Sequence, residues 1–91
     1  MNIVRQAAAG SLESSDILVT LAPGDGGLEL SLTSSVERYY GGAIRETMRR
    51  TLTELGVTSA RVEAVDHGAL DCTIRARITT AVRRAGEEAE V

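Results

Sequence analysis

Tryptophan, phenylalanine and lysine are absent from these 91 residues, and cysteine, histidine and proline occur once each. One thiol, Cys72, excludes an intramolecular disulfide framework and fits a reducing compartment such as the cytoplasm. No apolar run approaches the ~20 residues of a membrane-spanning helix. The apolar stretch in MNIVRQAAAG is too brief and broken for a signal peptide. All ten basic residues are arginine, yet the formal charge is −3. That balance excludes a sequence-independent nucleic-acid binder, which needs a basic excess. A single His, a single Cys and scattered carboxylates match no metal-ligand spacing. With only Tyr39 and Tyr40 aromatic, the core must be built from Val, Leu, Ile and Ala. A chain of this length holds one domain and buries only about 60–65% of its unfolded surface.

What is present organises into alternating strands and two helices. DILVTLA, residues 16–22, is rich in β-branched and apolar residues, with Ile17, Val19 and Leu21 on one face and Leu18 and Thr20 on the other. Apolarity on both faces predicts a central strand. PGDGG, residues 23–27, is a turn, and LELSLT then alternates Leu28, Leu30 and Leu32 inward, which predicts a hairpin. Ser34 and Glu37 have the spacing of a capping box. The helix that follows carries Val36, Tyr40, Ile44, Met48 or Thr47, Leu52 and Leu55 on one stripe and ends at Gly56. Gly41-Gly42 inside it costs roughly 1–2 kcal/mol relative to alanines. ARVEAV, residues 60–65, reads as a third strand, and Asp66-His67-Gly68 breaks it. A second helix runs to Ala85 with Leu70, Ile74, Ile78, Ala81 or Val82, and Ala85 buried. The order β-β-α-β-α predicts an α+β two-layer sandwich, a three-stranded sheet with two helices on one face. The first strand is expected in the middle, antiparallel to both neighbours. MNIVRQAAAG is left as an arm or a short strand, and GEEAEV as a solvated acidic tail.

Chemistry-bearing residues are few. His67 and Cys72 straddle a strand-to-helix junction, where a Cys–His nucleophilic pair is conceivable, but the reading taken is a turn histidine beside a helix cysteine. PGDGG lacks the Lys-Ser/Thr ending of a phosphate loop and joins strands. Arg75, Arg77, Arg83 and Arg84 cluster on the second helix, with Arg77 and Arg84 a heptad apart. They can serve the helix dipole, pair with Glu87 and Glu88, or face an anionic ligand or partner. Ser14 and Ser15 sit in ESSD just before a strand. Without a histidine base Ser14 is a poor nucleophile, but an exposed loop hydroxyl is a good acceptor for a transferase. A plain turn is the other reading.

DHGALDCTIRARITTAVRRA, residues 66–85, resembles the C-terminal signature of the citrate lyase acyl carrier protein (γ subunit) family. AAAGSLESSD resembles the same family's A-G-T/S-x-E-S-G/S-D segment. LELSLTSSVERYYGGAIRETMRRTL resembles its central strand and helix, with Tyr40 where Phe is usual. The likeness spans nearly the whole chain. It implies a single acyl carrier domain over 1–91, with 1–14 a flexible arm bearing the attachment serine and 87–91 the acidic tail. It implies that Ser14 carries 2′-(5″-phosphoribosyl)-3′-dephospho-CoA through a phosphodiester, with Ser15 where glycine is common. The acetyl or citryl thioester would reside on that group while citrate is cleaved to acetate and oxaloacetate. Citrate lyase α and β subunits and a prosthetic-group transferase are the implied partners. The chain would then be a non-catalytic subunit in the cytoplasm, without metal, membrane or nucleic acid. Cys72, although part of the motif, is expected to pack as a small hydrophobe and not to hold the acyl group.

Two other readings remain. One is the acyl carrier of malonate decarboxylase, which resembles this family and uses the same kind of group. The other is an unmodified adaptor whose Arg-rich helix docks to a partner.

Overall fold

The computed structural model describes residues 2–86; the acidic tail expected at 87–91 lies outside them. Strands β1 (Ala7–Gly10), β2 (Ile17–Ala22), β3 (Leu28–Ser34) and β4 (Ala60–Asp66) form one sheet, with helices α1 (Glu37–Glu54) and α2 (Asp71–Ala85). The strand order is β1-β2-β4-β3. The α+β class stands, but the three-stranded sheet does not: a fourth strand is present and the sheet is mixed.

Two physical causes explain the difference. The first is β1, drawn from the segment left as an arm or a short strand. It pairs antiparallel with β2, Ala7 opposite Leu21 and Gly10 opposite Leu18. Three alanines carry little β-propensity, so only the free edge of a strongly apolar β2 recruits them. The second is β4, which enters between β2 and β3. It runs antiparallel to β2 and parallel to β3, with Leu28 beside Ala60 and Leu32 beside Ala64. The hairpin expected for β2 and β3 is therefore absent. Instead β3, α1 and β4 form a β-α-β unit, in which a helical crossover suits parallel neighbours. The Pro23–Gly27 loop needs only to span two strand spacings, roughly 10 Å. The central, antiparallel place expected of β2 is kept, with β1 and β4 as its neighbours.

The core lies between the sheet and the helices. Ile17, Val19 and Leu21 from β2, Ala60, Val62 and Ala64 from β4, and Leu32 from β3 meet Ile44, Met48 and Leu52 of α1 and Ile74, Ile78 and Val82 of α2. Small residues along β4 let the helices approach closely. On the other sheet face Arg61 and Glu63 are exposed, and Arg61 reaches Glu29 at 3.5 Å. Two members of the expected stripes stay outside: Tyr40 and Leu70 are 60% and 69% exposed.

The helix ends are only partly as expected. Gly56 is left-handed and follows the last turn of α1, and Val57 N–H donates to the Leu52 carbonyl. The capping box does not form. Ser34 ends β3, and its hydroxyl accepts from Val36 N–H at 3.1 Å while donating to Asp66 at 2.8 Å. Tertiary pairing with a buried carboxylate takes the side chain away from the helix. Gly86 caps α2 with extended backbone and bridges to Ile3. The Arg5 guanidinium donates to the Arg84 and Gly86 carbonyls, which supplies partners at that helix end.

Of the paired glycines in α1, Gly41 is buried, and Gly42 is exposed with open space where a Cβ would sit. Gly42→Ala is therefore expected to stabilise the fold by about 0.5–1 kcal/mol, through helix propensity alone. A thermal melt should show a rise of a few degrees; a fall would mean that the position needs glycine.

Candidate functional site

Residues 11–16 form the loop of the β1–β2 hairpin and hold both serines. The close approach at its start demands glycine. At Gly10, φ is +100° and a Cβ would sit 1.8 Å from the Ile17 carbonyl oxygen. Asp16 N–H donates to the Glu13 carbonyl at 3.2 Å, closing a turn with Ser14 and Ser15 at its centre. Ser15 is the one non-glycine residue with positive φ (65°) among those described. A turn with a left-handed third residue favours glycine there, the residue that the resembling family commonly has.

Asp16 organises the base of this loop. Its carboxylate accepts from the Ser11 hydroxyl (2.7 Å), from Ile17 N–H (2.7 Å), and from Arg77 Nε (2.9 Å) and Nη2 (3.1 Å). Ser11 Oγ in turn accepts from Glu13 N–H at 3.2 Å. The fork-shaped guanidinium fixes orientation as well as charge. The facing loop, residues 67–70 between β4 and α2, completes the frame. Ser15 N–H donates to the His67 carbonyl at 2.8 Å, and His67 N–H to the Asp16 carbonyl at 2.9 Å. The loop is thus held on both sides of Ser14, and Ser14 itself is exposed.

The Arg77 hydrogen bond, followed by those from Ser11 and Ile17, holds the Asp16 carboxyl well below its ordinary 3.8, and the same pair raises Arg77. A folded-state pKa below the unfolded one means stabilisation that is complete above the unfolded value and is lost as pH falls through the folded one. The melting-temperature gap between this chain and an Arg77→Gln variant is expected to be constant from neutral pH to about 4 and to narrow steadily below that. Added salt should narrow it as well, because the pair borders solvent. A gap that is zero throughout would remove the pair from the account of stability.

Beneath the facing loop lies Asp66, 1% exposed at the end of β4. It accepts from Ser34 Oγ (2.8 Å), Gly68 N–H (3.1 Å) and Ala69 N–H (3.0 Å). One side chain joins the end of β3 to the turn that leads into α2.

Other expected residues fall elsewhere. His67 and Cys72 both face solvent. Cys72 is exposed in the first turn of α2, so the packing role expected of it is not found. Arg77 and Arg84 do share a face, and they use it to hold the chain's first strands: Arg77 binds Asp16 and Arg84 donates to the Ala8 carbonyl at 2.8 Å. Arg75 pairs with Glu54 of α1 at 2.7 Å. Pairing with Glu87 or Glu88 lies outside the described residues. Among the described residues, no cluster of three or more His, Cys, Asp or Glu side chains is arranged to hold a metal. Nor is any described helix long and apolar enough to cross a membrane. The Asp16–Arg77 pair escaped sequence reasoning because its partners stand 61 positions apart; the only signal was that each lies within a recognisable motif.

Comparison with known proteins agrees along the length of the chain. The family profile described as the malonate decarboxylase delta subunit, an acyl carrier protein profile, matches residues 4–85. The citrate lyase acyl carrier protein of Streptococcus equi subsp. equi (strain 4047) is 57% identical over 86 residues, 93% of this chain and 84% of that one. That of Streptococcus mutans serotype c is 57% identical over 88 residues, 96% and 86% of the two chains. A chain of a Pseudomonas malonate decarboxylase hetero-tetramer, solved with malonate, superposes with a TM-score of 0.79. It covers 94% of this chain and 89% of its own, at 24% identity, and so speaks for the fold alone.

Proposed function

Because this chain belongs to the citrate lyase acyl carrier protein family, we propose that the Ser14 hydroxyl is the point at which its prosthetic group is attached. The observation that carries this is the geometry of the loop. Ser14 is presented to solvent at the centre of a turn whose flanking residues are pinned by Asp16, Arg77 and His67. Such an exposed hydroxyl on a fixed base fits a transferase's acceptor. Ser15 fits less well, since its backbone is left-handed and tied to His67.

The group proposed is 2′-(5″-phosphoribosyl)-3′-dephospho-CoA in phosphodiester linkage; when bound it supplies a thiol that holds an acyl chain as a thioester. The work of this chain is support. Arg77 and Asp16 keep the loop against the sheet, Asp66 fixes the facing turn, and the exposed Ser14 leaves the attached arm free to reach other active sites. Tethering raises the effective concentration of the acyl group at each site it can reach. The proposed partners are citrate lyase α and β subunits and a dedicated transferase, in the cytoplasm, with citrate cleaved to acetate and oxaloacetate by the assembly.

Intact mass of the chain from its native cell, followed by mapping of peptides over residues 6–38, tests the proposal. The expected result is a mass increase matching the prosthetic group, on Ser14. An unmodified chain in cells that express the transferase would overturn it. A second reading, the carrier of malonate decarboxylase, is favoured by the description of the matching profile. It predicts the same mass but reconstitution with decarboxylase subunits.

A further inference from the structure

We propose that the open groove between the two helices is the resting place of the slender, thiol-bearing end of the prosthetic arm. This rests on the reading of Ser14 as the attachment point. The groove measures about 390 Å³ and runs between the first half of α1 and the start of α2. Its walls are largely apolar: Val36, Tyr40 and Ile44 on one side, Leu70 and Ile74 on the other. Thr47 and Asp71, which also line it, hydrogen-bond to each other across the helices at 2.5 Å, and the Asp71 carboxylate is the one charged group on its lining.

Three observations single out the arm as occupant. First, the groove begins where the attachment loop ends. Ser15 N–H bonds to the His67 carbonyl, and Gly68 and Ala69, the next two residues, line the groove. Second, large apolar side chains stand on both lips with nothing over them. Tyr40 of α1 is 60% exposed and Leu70, at the N-cap of α2, is 69% exposed. An unpaired lip on each side suits a narrow ligand drawn between them. Third, the size lies at the low end of small-molecule sites, which run about 300–1,000 Å³. That admits the pantetheine end, with its gem-dimethyl and methylene groups against the apolar walls. It leaves the nucleotide outside.

Tethering makes a modest contact sufficient. An attached ligand has already lost most of the translational freedom that free association costs. The docked arm therefore sits in exchange with an extended one, which other active sites can capture.

The test compares methyl and amide NMR spectra of the full chain before and after transferase loading, with loading verified by intact mass. The expected result is shifts at Ala43, Ile44, Ala69 and Leu70, together with cross-peaks from those methyls to the gem-dimethyl protons of the arm. Ala43 is exposed on the groove wall, so Ala43→Glu should fold normally, accept the same mass and lose the groove shifts and cross-peaks. A loaded chain whose changes are confined to residues 11–16 overturns the groove inference and leaves the attachment reading intact. A chain that takes up no mass at Ser14 overturns both.

Discussion

Ser14→Ala is expected to take up no prosthetic group and to support no acyl transfer in a reconstituted lyase, while its unfolding free energy stays within about 0.5 kcal/mol of the parent. Both halves follow from position. The hydroxyl is exposed at the centre of a turn, so its removal opens no cavity in the core. The loop keeps its form through Asp16, Arg77, Ser11 and the two backbone bonds to His67. The informative control is Ser15→Gly. Glycine relieves the cost of a left-handed serine, roughly 1–2 kcal/mol before the entropy of the unfolded chain takes part of it back. That variant should be loaded at the normal rate and melt at the same temperature or slightly higher. Loading of Ser14→Ala at the parental rate, with loss in Ser15→Ala, would move the attachment to the neighbouring residue. The measurement is mass uptake over time with purified transferase, alongside a denaturant titration of each variant.

The parts of the fold that could be read in advance are those whose physics is local. Ile17, Val19 and Leu21 alternate strongly enough to define β2, the apolar Leu18 on its other face points to its central place, and Ile74, Ile78 and Val82 define the buried face of α2. Gly56 marks the end of α1 by its own backbone requirement. What could not be read depends on contacts distant in sequence. Ala7–Gly10, left between arm and short strand by its sequence, becomes a strand because β2 offers it an edge. Ser34 fits a capping box by spacing, yet its hydroxyl goes to Asp66, 32 positions away, and α1 starts without it. A five-residue Gly/Pro turn between two strands reads as a β2–β3 hairpin; the parallel alternative becomes visible only when β4 supplies a row of small buried residues for Leu28, Leu30 and Leu32 to run beside. At the site the contrast is the same. Ser14 stood out through the family likeness of its motif, and the base that supports it did not, because Asp16 and Arg77 meet only in three dimensions.

The largest effect on stability is expected at Asp66. Its Ala variant removes the acceptor for two backbone N–H groups and for the Ser34 hydroxyl. A buried donor left without a partner costs about 1–3 kcal/mol, and these three are partly buried, so each belongs at the low end. Together they amount to roughly 3 kcal/mol, on the order of 12–24 °C in melting temperature for a domain of this size. Small domains have total stabilities near the bottom of the usual ~5–15 kcal/mol, so Asp66→Ala should be marginal at 37 °C. Asp66→Asn keeps one acceptor oxygen and should lose about half as much. Circular-dichroism melts decide it, and an Ala variant melting within a few degrees of the parent would show that water replaces the lost acceptor. The damage should also be directional. Asp66 holds Gly68 and Ala69, His67 stands between them and the strand, and the His67 carbonyl receives the Ser15 amide. In the milder Asn variant, hydrogen exchange at Ser15 should accelerate more than at the β2 and β4 amides remote from it. One buried carboxylate then sets the firmness of the platform on which the Ser14 loop stands.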